Sequence, residues 1–204
     1  MHDTPILPDA PSARLLLWLF SRDRLRDITR WFMVPTFRLG LGSLIGGPLG
    51  GWVMILRTRG RRTGRPRFAG LDYVIEGGSI YCLAGFGRDT HWLCNLLADP
   101  NVELMLPGRT LTGTAEEVTD ADERARVVPR IIRASGVPGF MIGCNPWTAG
   151  DERILELLTG IPLVRIRPTG IASGPADPGG LLWVAKVLLA VLLVRRLLGR
   201  RRET

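Results

Sequence analysis

The sequence predicts an α+β, mainly β fold: a small antiparallel barrel with flanking helices, an amphipathic helix before it and a hydrophobic helix after it. Three observations carry this. Strand-length apolar segments recur through the middle of the chain, paired across tight turns at Gly77-Gly78 and Pro107-Gly108. The few helical patterns do not alternate one for one with strands, which excludes a doubly wound parallel sheet. The two ends differ from the middle in composition, which divides the chain into an extension (1–50), a barrel domain (51–169) and a linker with a hydrophobic tail (170–204).

Taken in order, residues 1–12 are proline-rich and loose. From Ala13 to Val34, Trp18, Leu25, Ile28 and Trp31/Phe32 recur at helical spacing among five arginines, and the helix ends before Pro35. Gly40–Gly51 is a glycine-rich connector. Trp52–Thr58, Phe68–Glu76 and Ser79–Gly85 read as strands. Thr90 is the N-cap of a short helix, His91–Ala98, closed by Asp99-Pro100. Val102–Leu106 and Leu111–Val118 form a further hairpin. Thr119 or Asp120 caps a helix through Ser135 with a kink at Pro129. Gly136–Gly150 is a loop, Asp151–Leu158 a short helix and Ile161–Arg167 the last strand.

Composition bounds the function. With 204 residues the chain can bury a full core. Its formal charge of +8 and pI near 10.8 favour a polyanionic partner or an anionic surface. Lys186 is the only lysine, so the positive charge is almost all arginine. Cys82, Cys94 and Cys144 are odd in number and form no C-x-x-C pair, which argues against a disulfide framework or a zinc site and for a reducing compartment. His2 and His91 are the only histidines, which excludes a multi-histidine metal centre, and no G-x-S-x-G elbow accompanies them. No signal peptide is legible at the start of the chain.

Six of the eleven residues from Arg57 to Arg67 are arginine, interleaved with Gly60, Thr63, Gly64 and Pro66. Glycines allow a tight turn and a close backbone approach to a ligand. Guanidinium groups fork onto phosphate and carboxylate oxygens. Two readings stand, an anion clamp and a solvated basic hairpin. A nucleic-acid interface is disfavoured, because the arginines lie in one turn and no stacking face with interleaved basic residues accompanies them.

The run from Ile55 through Arg57, Arg61, Arg62, Thr63, Gly64, Arg65, Pro66 to Arg67 resembles the T-T-G-R-(K/R)-(S/T)-G-x-P-R signature of the deazaflavin (F420)-dependent nitroreductases, within the split β-barrel flavin/deazaflavin oxidoreductase superfamily. The block from His91, Trp92 and Asn95 to Pro100-Asn101 is similar to the family's W-x-x-N-L-x-A-N-P element, and Ile161–Val164 to its closing I-P-V-V strand. The resemblance covers roughly 50–168. It implies a split β-barrel and an oxidoreductase using F420, a deazaflavin with a phosphate and an oligoglutamate tail. By position, Leu56, Arg57, Arg61, Arg62, Thr63, Gly64, Arg65, Pro66 and Arg67 would receive the anionic part. Leu83, Ala84, Gly85, Phe86 and Gly87 would line the ring by their backbone, with Arg88 beside them. His91, Trp92 and Asn95 would lie at the short helix's N-terminus. The acceptor would be a quinone or an activated nitro or alkene compound, with Phe86, Phe140 and Trp147 as pocket candidates. No catalytic residue is assigned and no metal is expected. Gly85-Phe86-Gly87-Arg88 departs from the family's S-K-G-G, no tyrosine follows the long helix, and Asp72 stands where relatives carry an aromatic or apolar residue. FMN in place of F420, or a cofactor-binding or membrane-scaffold protein without turnover, are the alternatives. The resemblance leaves room for a homodimer.

Leu181–Val194 is continuously apolar except for Lys186 and is followed by Arg195, Arg196, Arg200, Arg201 and Arg202. Fourteen helical residues reach roughly 21 Å, short of a ~30 Å hydrocarbon core. The arginines predict a cytoplasmic end. A tail that dips into the cytoplasmic leaflet of the cell membrane, with the barrel at its surface, is therefore expected; a helix packed in an oligomer is the alternative.

Overall fold

A computed structural model describes residues 21–47, 51–172, 188–192 and 195–196. One seven-stranded antiparallel sheet organises it: β1 (Val53–Arg59), β2 (Pro66–Asp72), β3 (Val74–Glu76), β4 (Ser79–Leu83), β5 (Asn101–Leu106), β6 (Arg109–Val118) and β7 (Leu163–Ile171). Their order is β2-β1-β5-β6-β7-β4-β3. The two edges of that order are consecutive in the chain, so the sheet is curled: β2 and β3 are halves of one extended segment broken at Tyr73. The first half pairs with β1 (Val53 opposite Asp72) and the second with β4 (Val74 opposite Tyr81). At the break the Tyr73 amide donates to the carbonyl of Trp52 at 2.9 Å. The predicted Phe68–Glu76 strand is thus two strands serving opposite edges, and the antiparallel split-barrel expectation stands.

Alternation along β1 sorts the core. Met54 and Leu56 point inward, with Leu104, Val164 and Ile166, onto a buried plug from α3 (His91–Ala98): Trp92, Leu93 and Leu96. Val53 and Ile55 point outward, under the amino-terminal helix. On the other side of the curl Tyr81, Val118 and Leu163 carry α4 (Ala121–Ala134) through Val127, Val128 and Ile131, with α5 (Asp151–Leu157) packed beside it. Asp120 caps α4 as expected, its carboxylate accepting from the Glu123 amide at 2.7 Å.

Several expectations need correction. The amino-terminal helix does not stop before Pro35. It runs as α1 (Arg22–Ile28), a π-helical turn (Thr29–Met33) and α2 (Val34–Arg38), and Pro35 follows directly on the π-helical turn, whose wider winding lets the helix continue past a residue without an N–H. Its predicted first residues, 13–20, lie outside the described residues. The helix α4 runs through Pro129, where the kink is expected, to Ala134. Thr90 holds the N-cap position of α3, but its hydroxyl donates to Gly87 O at 2.6 Å instead of capping. The last strand extends to Ile171, so the linker expected from Gly170 begins later. Of the tail, 188–192 and 195–196 are helical, with Leu188, Leu189, Val191 and Leu192 exposed; the remainder of the tail lies outside the described residues. Among the described residues no helix is long and apolar enough to cross a membrane.

Candidate functional site

The arginine turn is the tip of the β1–β2 hairpin. Gly60 donates to Arg65 O at 2.9 Å and Gly64 donates back to Gly60 O at 2.7 Å, which closes a compact loop. Gly64 adopts φ +65°, and a Cβ at Gly60 would stand 3.0 Å from Arg65 O, so the turn needs both glycines. Its anchor is Asn95 on α3, which is buried. The Asn95 Oδ1 accepts from both the backbone N and Nη1 of Arg61 at 3.2 Å, and its Nδ2 donates to the buried Thr58 hydroxyl at 3.4 Å. The helix plug thereby fixes the orientation of the turn.

The six arginines separate into three groups. Arg57 points outward and meets Glu103 of β5, with Nη1 2.6 Å from both carboxylate oxygens. Arg61 is held by Asn95. Arg59, Arg62, Arg65 and Arg67 are exposed, and none meets a carboxylate among the described residues. Six arginines elsewhere on the barrel do meet carboxylates: Arg88 pairs with Glu117, Arg126 and Arg130 with Glu76, Arg133 with Asp151, Arg165 with Glu116 and Glu123, and Arg167 with Glu116. Beside the turn lies a groove of about 390 Å³, walled by Arg57, Arg59 and Gly64 on one side and Asn101, Thr112 and Thr169 on the other.

The other expected site residues fall into distinct places. Leu56, Ala84 and Trp92 send their side chains into the core, leaving only backbone to a ligand. In the Leu83–Arg88 loop the amide of Ala84 is committed to Pro162 O and that of Gly87 to Ala84 O. Phe86 is exposed, and its carbonyl accepts from Arg22 Nη2 at 2.6 Å while its ring lies 5.4 Å under the same guanidinium. His91 is exposed at the start of α3, whose first-turn amides lack a side-chain cap. Phe140 and Trp147 form an edge-on pair, centroids 5.1 Å apart, in the loop that Arg133 ties down through Pro146 O and Ala149 O. Phe86 is not brought to that pair. Arg124, at the opposite end of α4, donates to Ile161 O, next to the Pro162 that holds Ala84. Nine helical residues, about 14 Å of axis, separate Arg124 from Arg133.

Asp72, marked in the sequence only as a departure from its relatives, has a definite setting. At the Tyr73 break Asp72 is half-buried, its carboxylate set against Gly51 and Ser135, and loss of solvent lifts its carboxyl from 3.8 to about 7, with the Ser135 hydroxyl opposing. Beside it, Trp52, Tyr73, Val74, Ile75, Arg130 and Arg133 line an open groove of about 550 Å³. Burial also raises the Tyr73 phenol and pushes the Cys82 thiol up to about 12, which leaves Cys82 an inert core residue.

A curled antiparallel barrel carrying a rigid turn of uncompensated arginines defines a protein built to hold a strongly anionic group. The sequence model of the F420H(2)-dependent quinone reductase family matches residues 33–137, just over half of the chain, and the chain belongs to that family. It is an F420-dependent oxidoreductase. Among solved structures it is similar to a conserved hypothetical protein from Mycobacterium tuberculosis, at 20% identity and TM-score 0.44 over 58% of this chain and 73% of that one. It is also similar to an F420-H2 dependent reductase, FDR-A, at 21% identity and TM-score 0.39 over 56% of this chain and 93% of that one. The residues fit the cofactor on their own chemistry. Four exposed arginines without carboxylate partners surround a turn whose glycines let a phosphate or carboxylate approach the backbone.

Proposed function

We propose that the protein passes a hydride from reduced F420 to a quinone at the cytoplasmic surface of the cell membrane. The observation that carries this is a contrast among the arginines: Arg59, Arg62, Arg65 and Arg67 of the turn meet no carboxylate among the described residues, whereas Arg88, Arg126, Arg130, Arg133, Arg165 and Arg167 are paired. Arg62, Arg65 and Arg67, with Thr63 and Gly64, take the phosphate and glutamates, and the neighbouring groove through Arg59 leaves room for the tail. Arg61 positions the turn, its backbone N–H and its guanidinium both being engaged by Asn95. The bound deazaflavin supplies the hydride, and a proton from solvent completes reduction of a quinone to a hydroquinone. What this chain supplies is anchoring of the anionic end, alignment along the Leu83–Arg88 loop and exclusion of water.

A quinone is supported by the family to which the chain belongs. The membrane surface is supported by the apolar tail with its terminal arginines, and by exposed Leu188, Leu189, Val191 and Leu192 within it.

The test is anaerobic mixing of the protein with F420H2 and menadione, with reappearance of oxidised F420 followed by absorbance. Turnover with menadione that exceeds turnover with a nitroimidazole or an enone supports the reading. Bound F420H2 that reduces nitro compounds or enones but no quinone would move the acceptor to that class.

A further inference from the structure

We propose that the outward stripe of the amino-terminal helix, formed by Ile28, Trp31, Phe32 and Leu39, seats on an anionic lipid bilayer. This deepens the membrane-surface reading above and rests on it. From Arg22 to Arg38 the helix is continuous, and it is apolar on two opposite sides. The inner side, Thr29, Met33, Val34 and Phe37, is buried on Val53, Ile55 and Gly70. The outer side should be polar in a helix that merely covers its own domain. Instead Trp31 is 72% exposed and Phe32 59%, with Ile28 and Leu39 also open to solvent.

Charge decides what covers this stripe. Arg30 lies 5.0 Å over the Trp31 ring, which sets a cation on the stripe itself, and exposed Arg38 of the same helix lies 5.5 Å over Phe68 of β2. The two acids of the helix, Asp23 and Asp27, are both drawn to Arg26, at 3.1 and 3.5 Å. What remains is an aromatic stripe bordered by arginine on a chain of net charge +8. Tryptophan and arginine together suit the headgroup zone, where the ring sinks to the acyl boundary and the guanidinium stays among phosphates. Each arginine near an anionic surface adds to the attraction. The same helix holds the Phe86 carbonyl through Arg22, so a docked helix would bring the 85–88 loop to the bilayer, where an apolar acceptor accumulates.

The experiment is co-sedimentation of the full chain with phosphatidylcholine vesicles, with and without phosphatidylglycerol, for the wild type and for Trp31→Ser/Phe32→Ser. Binding that needs phosphatidylglycerol and falls at least about tenfold in the double variant is expected. A second readout uses brominated phosphatidylglycerol, which should quench tryptophan fluorescence of the wild type more than that of the conservative Trp31→Phe. Unchanged binding and quenching in the variants would overturn the proposal, and so would equal binding to neutral vesicles. A dimer that the substitutions split, with no vesicle binding by either form, would assign the stripe to a second copy of the chain and also overturn it. F420H2 oxidation by soluble menadione without vesicles reads the cofactor and acceptor proposal separately, so failure of one does not conceal the other.

Discussion

The side-chain oxygen of Asn95 receives both the backbone N–H and the guanidinium of Arg61, each at 3.2 Å, and this joins the buried helix plug to the tip of the arginine turn. Truncation to Asn95→Ala strands the Arg61 amide and the Thr58 hydroxyl together. We expect a loss of about 1–3 kcal/mol in a urea titration and weaker F420 binding. Asn95→Asp separates the two effects: it keeps an acceptor for Arg61, so stability should hold better, while its charge opposes an anionic ligand. F420 affinity that is unchanged in both variants would show that the anchor is irrelevant to binding.

The turn itself should resist side chains. Gly64→Ala forces an L-residue into a left-handed backbone at φ +65°, a cost of about 1 kcal/mol. Gly60→Ala adds a contact 3.0 Å from Arg65 O. Each should lower F420 affinity by more than its modest effect on the melting temperature implies, because the arginines lose their common orientation. Isothermal titration and calorimetry on the same samples check this.

Asp72 makes stability depend on pH. Its carboxyl is lifted by burial from 3.8 to about 7, so the folded state holds a proton that the unfolded state releases earlier. The stabilisation is complete below pH 3.8, falls as pH rises, and is gone above about 7. Asp72→Asn, which never ionises, should therefore exceed the wild type at pH 8 by about 2 kcal/mol and converge with it near pH 4. Chemical denaturation at the two pH values reads the difference directly. Parallel curves for the two proteins would contradict it.

Glu123 joins the barrel to α4. It accepts from the Tyr81 hydroxyl at 2.6 Å and from Arg165 at 2.8 Å, with Arg165 also bound to Glu116. Removal of the carboxylate leaves a buried phenol without its acceptor and Arg165 with one fewer partner, so Glu123→Ala should cost about 2–3 kcal/mol. Tyr81→Phe removes only one hydrogen bond and should cost about 1 kcal/mol. A double-mutant cycle between them, measured by urea unfolding, should give a clear coupling energy.

Local signals in the sequence carried much of this fold. The hairpins at Gly77-Gly78 and Pro107-Gly108 rest on turn chemistry, and α4 on the Asp120 cap, all of which are short-range. The break at Tyr73 is not short-range: nothing within Phe68–Glu76 says that one half pairs with β1 and the other with β4, since that follows from closure of the barrel. Pro35 reads as a helix stop until a π-helical turn precedes it. At the site, the density of arginine was plain, but its division was not. Glu103 lies 46 residues from Arg57 in sequence, and only the β1–β5 pairing shows that Arg57 is neutralised. Asn95 stood out through its motif, yet its link to Arg61 depends on how the plug sits in the barrel. Asp72 stood out as a departure from its relatives, but its raised carboxyl did not, because its setting comes from Gly51 and Ser135, remote in sequence.

On the proposed function, Arg59, Arg62, Arg65 and Arg67 of the turn hold the anionic end of F420. Fluorescence titration of the protein with F420, at low and high salt, tests it most directly, with Arg62→Ala/Arg65→Ala alongside and FMN as the competing ligand. Micromolar F420 binding that weakens steeply with salt and drops at least about tenfold in the double variant is expected. Tight FMN binding with no response to F420, or F420 binding indifferent to both salt and the arginines, would contradict it.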